Sequence, residues 1–220
     1  MAWTRWFSPY LNRFGRRWFE QRPYGFGDKY VVVTVDAIRA AVGAVNPVPL
    51  DESALVSAGV LIPLHVKDGE LCVALTKRSE EVEHHKGEIS FPGGVRDDSD
   101  RSILDTALRE TYEEVGVAQD HIEIVGRLDH VSTRTGFAIT PFVGLIPSDY
   151  AFKVSEIEVA EILNIPIELL LDPNHRREDS SDDPSNRQYS YLYKDHVVWG
   201  ATARMLTQFL RLLDREFDQE

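Results

Sequence analysis

Glu110, Glu113 and Glu114, preceded by Arg109 and closed by Gly116, are the residues whose types and spacing most plainly suggest chemistry. Side chains three and four apart share a helical face, so a helix here points all three carboxylates the same way. Like charges at that spacing repel and destabilise the helix unless something neutralises them. A hard divalent cation does so, since Mg²⁺ takes oxygen ligands and is held by a few carboxylates plus substrate phosphates. Three carboxylates with a backbone carbonyl near Gly94 offer oxygens enough for two or more ions. The plain alternative is a solvated acidic face. Two details argue against it. Leu104, Ala107, Leu108, Thr111 and Val115 form a separate packing stripe, and the acids lie roughly 120° around the helix from it, beside the packed edge. The helix also follows Phe91-Pro92-Gly93-Gly94, a strand end whose glycines let backbone approach a ligand closely.

This stretch resembles the Nudix box, G-x5-E-x7-R-E-U-x-E-E-x-G-U with U apolar. Arg109-Glu110, Glu113-Glu114, Gly116 and Val117 match in place. Thr111 stands where U is usually larger and apolar. The interval from Gly94 to Arg109 is one residue longer than the pattern, with Asp100 where the first Glu would stand. The lengthened form is similar to the coenzyme A pyrophosphatase branch of the family. So are Leu75-Thr76-Lys77-Arg78-Ser79, Gly87 and Phe91-Pro92-Gly93-Gly94 upstream. Downstream the likeness continues through Thr135-Gly136-Phe137, Pro141-Phe142-Val143-Gly144, Glu158-Val159-Ala160-Glu161, Pro166 and Val198-Trp199-Gly200-Ala201-Thr202-Ala203, covering about residues 54 to 213. Four residues before Gly87 that branch carries Arg, and this chain has Glu83, a departure that bears on the substrate rather than the fold.

The resemblance implies an α+β fold, a Nudix-type α/β/α sandwich with a mixed β-sheet. It implies a hydrolase dependent on Mg²⁺ or Mn²⁺ that cleaves the pyrophosphate bond of a nucleoside diphosphate derivative. Coenzyme A or an acyl-coenzyme A is the expected substrate, giving adenosine 3′,5′-bisphosphate and a 4′-phosphopantetheine species. ADP-ribose, a dinucleotide or an altered nucleotide is the alternative. A binding module without turnover is a further one, although such modules usually lack one or more of the acids retained here. Glu110, Glu113 and Glu114 are the expected metal ligands, with Gly94 through its carbonyl. Arg109 stays protonated and would hold a helix carboxylate through a bidentate contact. Glu158 is the candidate general base, with Glu161 and a helix carboxylate as alternatives. Lys77, Arg78, Ser79, Arg96, Gly93 and Gly94 are the candidate substrate contacts. His130 reads as a hydrogen-bonded structural residue and Trp199 as core.

The elements that must position these residues follow from pattern. The 220 residues, 43% hydrophobic, suit one well-cored domain plus an appendage. We divide the chain into an arm with a short helix at 1–50 and the hydrolase domain at 51–220. Asp36 is the expected N-cap of a helix reaching about Val45. Strands are expected over 55–66, 71–76, 88–91, 122–126, 138–146 and 161–165, with a turn at 67–70 and a polar loop at 79–87. The catalytic helix runs from about Ser102 to Val115 with Gly116 past its end. A short helix follows Pro166, residues 172–187 read as a mobile loop, and a late hairpin around Lys194-Asp195 leads to a helix over about 201–217.

Charge and cysteine content narrow the partners. The net charge of −12 argues against nucleic acid, which needs a basic footprint. The single cysteine, Cys72, excludes an internal disulfide, and a buried inert thiol is expected. No apolar run approaches the roughly 20 residues that span a bilayer, and a cytoplasmic setting is the default expectation. Residues 1–30 hold five Arg and one Lys against Glu20 and Asp28, a local +4 that leaves −16 for the remainder. The basic aromatic segment within residues 1–20 suits peripheral contact with an anionic membrane, packing on its own domain, or packing across a homodimer.

Overall fold

The long apolar run from Val56 to Lys67 builds the centre of the molecule because it is buried on both faces, as a strand covered by helices above and below must be. The computed structural model describes residues 24–26, 29–31, 33–48, 54–82, 85–179 and 188–214. The strands are β1 (Tyr24–Phe26), β2 (Lys29–Val31), β3 (Val56–Lys67), β4 (Glu70–Arg78), β5 (Ile89–Ser90), β6 (Gly93–Val95), β7 (Glu123–Arg127), β8 (Val131–Ser132), β9 (Phe137–Leu145), β10 (Val159–Pro166), β11 (Arg176–Asp179), β12 (Gln188–Tyr193) and β13 (His196–Val198). The helices are α1 (Val35–Gly43), α2 (Ile103–Val115), α3 (Ile167–Leu171) and α4 (Gly200–Leu213). The main sheet runs β10-β4-β3-β9-β7. β3 and β9 are parallel and the other neighbours antiparallel, so the sheet is mixed.

β3 and β4 pair only near their hairpin, from Leu64↔Val73 to Lys67↔Glu70. The turn joining them has Asp68 at φ 52° and Gly69 at φ 89°, both positive as a two-residue hairpin of matching twist requires. Toward their other ends the two strands take different partners, β6 on β3 and β5 on β4. The main core lies between the sheet and α1 and α4, where Ile38, Ile62, Leu64, Leu75, Val143, Leu206 and Phe209 are buried together. A smaller core of Leu61, Ala107 and Phe142 lies under α2 on the opposite face. These layers form the α/β/α sandwich. A separate three-stranded sheet, β11-β12-β13, packs against α4.

Several expected boundaries move for local reasons. Thr34, not Asp36, caps α1: its Oγ1 accepts the Ala37 N–H at 3.1 Å, and Asp36 falls in the first turn, where it pairs with Arg39. The expected mobile loop at 172–187 is structured at its start. Asp172 accepts the Asn174 N–H at 2.9 Å, and Arg176–Asp179 pairs with Gln188–Tyr193. Residues 180–187 lie outside the described residues. So do the arm at 1–20, Glu83, His84, the boundary at 49–53 and the expected end of the last helix beyond 214. Trp199 is not core: it is 54% exposed at the start of α4. Cys72 is buried, and burial pushes its thiol up to about 12, the inert state expected of it.

Helix α2 approaches β3 closely because Gly59 has no side chain. A Cβ there would lie 2.4 Å from the Ile103 carbonyl oxygen and 3.2 Å from the Ala107 nitrogen. Backbone, unlike the tip of a long side chain, cannot swing away. Gly59→Ala is therefore expected to lower stability by about 1–3 kcal/mol and to shift α2. Gly43→Ala, at an α1 position where an added Cβ meets nothing within 4 Å, should be neutral or mildly stabilising. Urea denaturation of the two variants checks this, and equal midpoints would show that the close approach is not limiting.

Candidate active site

Ser102 starts α2 as its N-cap, accepting the Asp105 N–H at 3.1 Å, and Gly116 ends it in the left-handed conformation at φ 70°. The three acids emerge at different depths. At 100° per residue, Glu114 lies roughly 80° from the packed stripe, Glu110 roughly 120° and Glu113 roughly 180°. Exposure follows that order. Glu114 is 5% exposed, the Glu110 side chain 20% and the Glu113 side chain 51%. Thr111, the polar residue in the stripe, is fully buried and donates its hydroxyl to the Ala107 carbonyl at 2.6 Å, so it fills an apolar slot with no unmet polar group.

Arg109 organises the acids, but its bidentate partner is not a helix carboxylate. Nε and Nη2 both reach Asp100 at 3.0 Å, while Nη1 donates to Glu110 at 2.9 Å and to Glu113 at 3.0 Å. Asp100 also accepts the Thr106 hydroxyl at 2.8 Å and the Asp97 N–H at 3.0 Å. The Arg109 guanidinium, with those donors, holds the Asp100 carboxyl far below the usual carboxylate range. In the sequence Asp100 stands out only as an exception to the box pattern. An acid kept at a shifted spacing before an Arg was the available signal for this clamp.

Glu110 lies directly over Gly94, where a Cβ would come within 2.4 Å of Oε1. Burial raises the Glu110 pKa, against the pull of Arg109. Glu114 is the deeper group. Burial pushes it up to about 8; Arg78 works in the opposite direction, while Glu110 and Glu158 reinforce the rise. Its Oε2 is buried without a hydrogen-bond partner, and so is Nε of Arg78. A buried acceptor and a buried donor are thus both unmet within one electrostatic neighbourhood.

Glu158 reaches this neighbourhood through the end of α2. The Val115 and Glu114 carbonyls, left without helical partners, accept the N–H groups of Lys153 and Ser155 at 3.0 and 2.9 Å. Ser79 fixes the far side of that loop: its N–H donates to the Glu158 carbonyl at 2.9 Å and its hydroxyl to the Ile157 carbonyl. It also accepts the Glu81 N–H at 3.0 Å. Ser79, expected as a substrate contact, is buried and positions Glu158 instead. Glu161 and Lys77 stand opposite each other in register, and Lys77 also pairs with Ile89, a core residue on the α4 side. Strand alternation then puts both on the face away from Glu114 and leaves Arg78 on the α2 face. This separates Glu161 from the acids and favours Glu158 among the candidate bases. Arg96 is exposed and donates to the Asp100 carbonyl at 3.2 Å, bracing the clamp loop. Gly93 fits against β3, since a Cβ would lie 2.4 Å from the Gly59 oxygen. His130 bonds Thr140 Oγ1 at 3.0 Å, a structural role.

The donor set suits a hard divalent cation: carboxylate oxygens throughout, one of them buried and unpartnered. Among the described residues no three acidic, His or Cys side chains are gathered at metal-binding separation. Arg109 instead draws Glu110 and Glu113 to itself.

The NUDIX domain family matches residues 56–175. The uncharacterized Nudix hydrolase NudL of Photorhabdus laumondii is 37% identical over 153 residues, 69% of this chain and 81% of that protein. The NudL proteins of an Enterobacter species and of Shigella flexneri are 38% and 36% identical, covering 69% and 74% of this chain and 79% and 84% of their own length.

Two outcomes follow from these electrostatics. Because Glu114 keeps its proton up to about pH 8 when folded but loses it near 4.5 when unfolded, metal-free stability should fall as pH rises through that window. Glu114→Gln should raise metal-free stability at pH 8 by on the order of 3 kcal/mol, with little effect at pH 4.5. Thermal unfolding in chelator at both pH values checks the sign. Asp100→Asn should lose about 3 kcal/mol, because it leaves the Arg109 charge without its main partner. If that variant unfolds at the wild-type urea midpoint, the clamp is not structural.

Proposed function

This chain belongs to the Nudix family of hydrolases, and from that premise we propose that it cleaves coenzyme A or an acyl-coenzyme A to adenosine 3′,5′-bisphosphate and a 4′-phosphopantetheine species, using Mg²⁺ or Mn²⁺. The family's enzymes are pyrophosphohydrolases of nucleoside diphosphate derivatives and use divalent metals. The observation that carries the proposal is the buried, unpartnered Oε2 of Glu114, beside Glu110 and Glu158 and facing Arg78. Such an oxygen is costly to keep as a bare carboxylate and becomes favourable once a cation answers it.

Glu110, Glu113 and Glu114 would hold the metal, which when bound neutralises diphosphate charge and lowers the pKa of water. Arg109 keeps two of those acids in place while its own charge is anchored by Asp100. Arg78, whose buried Nε has no partner, would donate to a phosphate oxygen. Glu158, exposed at the rim, takes the proton of the attacking water. Gly93 and Gly94, expected to let a diphosphate approach backbone, instead seat β6 against β3 and beneath the Glu110 carboxylate. The reading of coenzyme A as substrate is supported by the stretches at 75–79, 87–94, 135–137 and 198–203. ADP-ribose, a dinucleotide or an altered nucleotide remains the second reading, motivated by Glu83. We place the enzyme in the cytoplasm as part of the proposal. Among the described residues no helix is long and apolar enough to cross a membrane.

A panel of coenzyme A, acetyl-coenzyme A, ADP-ribose and diadenosine compounds with Mg²⁺, read by product mass, tests the proposal. Coenzyme A compounds should be cleaved fastest. Rapid turnover of ADP-ribose with coenzyme A untouched would replace the first reading by the second. Glu113→Gln and Glu114→Gln should each lower kcat at least about 100-fold with the fold retained. Wild-type turnover in both would remove the ligand assignment.

A further inference from the structure

Two of the stretches above, Thr135-Gly136-Phe137 and Val198-Trp199-Gly200-Ala201-Thr202-Ala203, take no part in the acid cluster, yet Arg204, next to the second, bonds Ser132, close to the first. Phe137 opens β9 opposite Val56 of β3, and β3 carries Gly94 of β6 along its other side. The turn at 133–136 therefore sits at the same end of the sheet as the acids, two strand spacings or roughly 10 Å across. α4 is tied to this turn by Arg204, whose Nη2 donates to the Ser132 carbonyl. Arg134, at the tip of the turn, is exposed.

Arg204 is half-buried, and its guanidinium charge is disfavoured first by that burial and then by the Arg134 charge. Among the described residues no carboxylate answers either guanidinium. In a chain of net charge −12, two adjacent cations without an acid are an exception that asks for an anion. Five residues before Arg204, at the start of the same helix, Trp199 exposes 54% of its surface, and no side chain caps the N-terminus of α4. An added Cβ at Gly136 or Gly200 would meet nothing within 4 Å, so the backbone on both sides borders open space.

We propose that Arg134 and Arg204 form a subsite for a phosphate monoester carried on the nucleoside half of the substrate, with Trp199 offering its ring to the base. The choice of a nucleoside rests on the pyrophosphohydrolase reading above. The paired guanidiniums supply charge-assisted donors to phosphate oxygens, and an exposed indole face accepts any base. The subsite selects substrates with a second phosphate remote from the bond that is cut, and it lies apart from the metal-binding acids.

Binding of adenosine 3′,5′-bisphosphate and of AMP to the full chain, measured by titration calorimetry, tests this without turnover. The wild type should prefer the bisphosphate by roughly 10–100-fold, the size of one or two charge-assisted hydrogen bonds. R134Q, an exposed substitution that should leave the fold intact, is expected to bring the ratio toward unity by weakening the bisphosphate alone. R204Q should do the same, and W199A should weaken both ligands alike. Equal affinities in the wild type, or an unchanged ratio in R134Q, would overturn the subsite. Kinetics on coenzyme A and 3′-dephospho-coenzyme A separate this idea from the functional reading. If both are cleaved with equal kcat/KM, the subsite fails and the function stands. If neither is cleaved but R134Q still abolishes the bisphosphate preference, the function fails and the subsite stands.

Discussion

A helix backbone pressed against strand backbone is the constraint on which the site depends. Gly59 admits the first turns of α2, Gly93 fits against Val60, and Gly94 makes a floor for the Glu110 carboxylate. With side chains at these places the helix would ride outward on a layer of Cβ atoms. Glu114 would then meet water, and its charge would be cheap to keep. The glycines thus do more than relax backbone geometry. They set the depth of the acids, and depth is what raises the affinity of a carboxylate for a proton or a cation.

That depth creates an electrostatic problem, which the chain solves by unequal sharing. One cation, Arg109, touches three acids, but it gives two donors to Asp100 and divides a third nitrogen between Glu110 and Glu113. Asp100 comes from the loop before α2, so the clamp fastens that loop to the helix as well as fixing the guanidinium. Glu114 receives none of it. The most buried acid is the one left without a direct cation contact, and the second cation in reach, Arg78, has its own unmet donor. Stability and readiness are therefore assigned to different residues of one short segment. Asp100 and Arg109 hold the segment together, and Glu114 is kept without a direct cation partner at some cost to the folded state.

Much of this was legible in the sequence, because periodicity encodes facing. The spacing of Glu110, Glu113 and Glu114 puts them on one face beside the packed edge, while their graded depth emerges only in the structure. The run at 55–66 reads as a strand, within a residue of β3, and Gly116 marks the end of α2. What remained hidden depended on partners distant in sequence or on competition between near-equals. Thr34 and Asp36 are both good caps, and it is Thr34 whose Oγ1 accepts the Ala37 N–H. Lys77 and Arg78 read alike, but strand alternation sends them to opposite faces. Ser79 looks like a ligand contact until the loop at 153–158 arrives to claim its hydroxyl. The segment at 172–179 is polar enough to read as loop, and its pairing with β12 is a long-range event that composition does not report. Trp199 reads as core by its type, yet its position just before an uncapped helix start leaves it at the surface.

The sheet separates two kinds of work. On the α2 face the groups are acids at graded depth, suited to cations. On the α4 face the main core ends in a different chemistry, with guanidiniums, an indole and an open helix start. The partition follows from strand alternation and from the divergence of β3 and β4, which pair only near their hairpin and leave their other ends to β6 and β5. Both faces are thereby brought to one end of the sheet. A ligand at that end can meet the acids with one part and the α4 face with another, without crossing the core. Change on the α4 side can then alter which molecule is held while leaving the α2 acids and their clamp untouched. A single fold can in this way keep its reaction and vary its substrate.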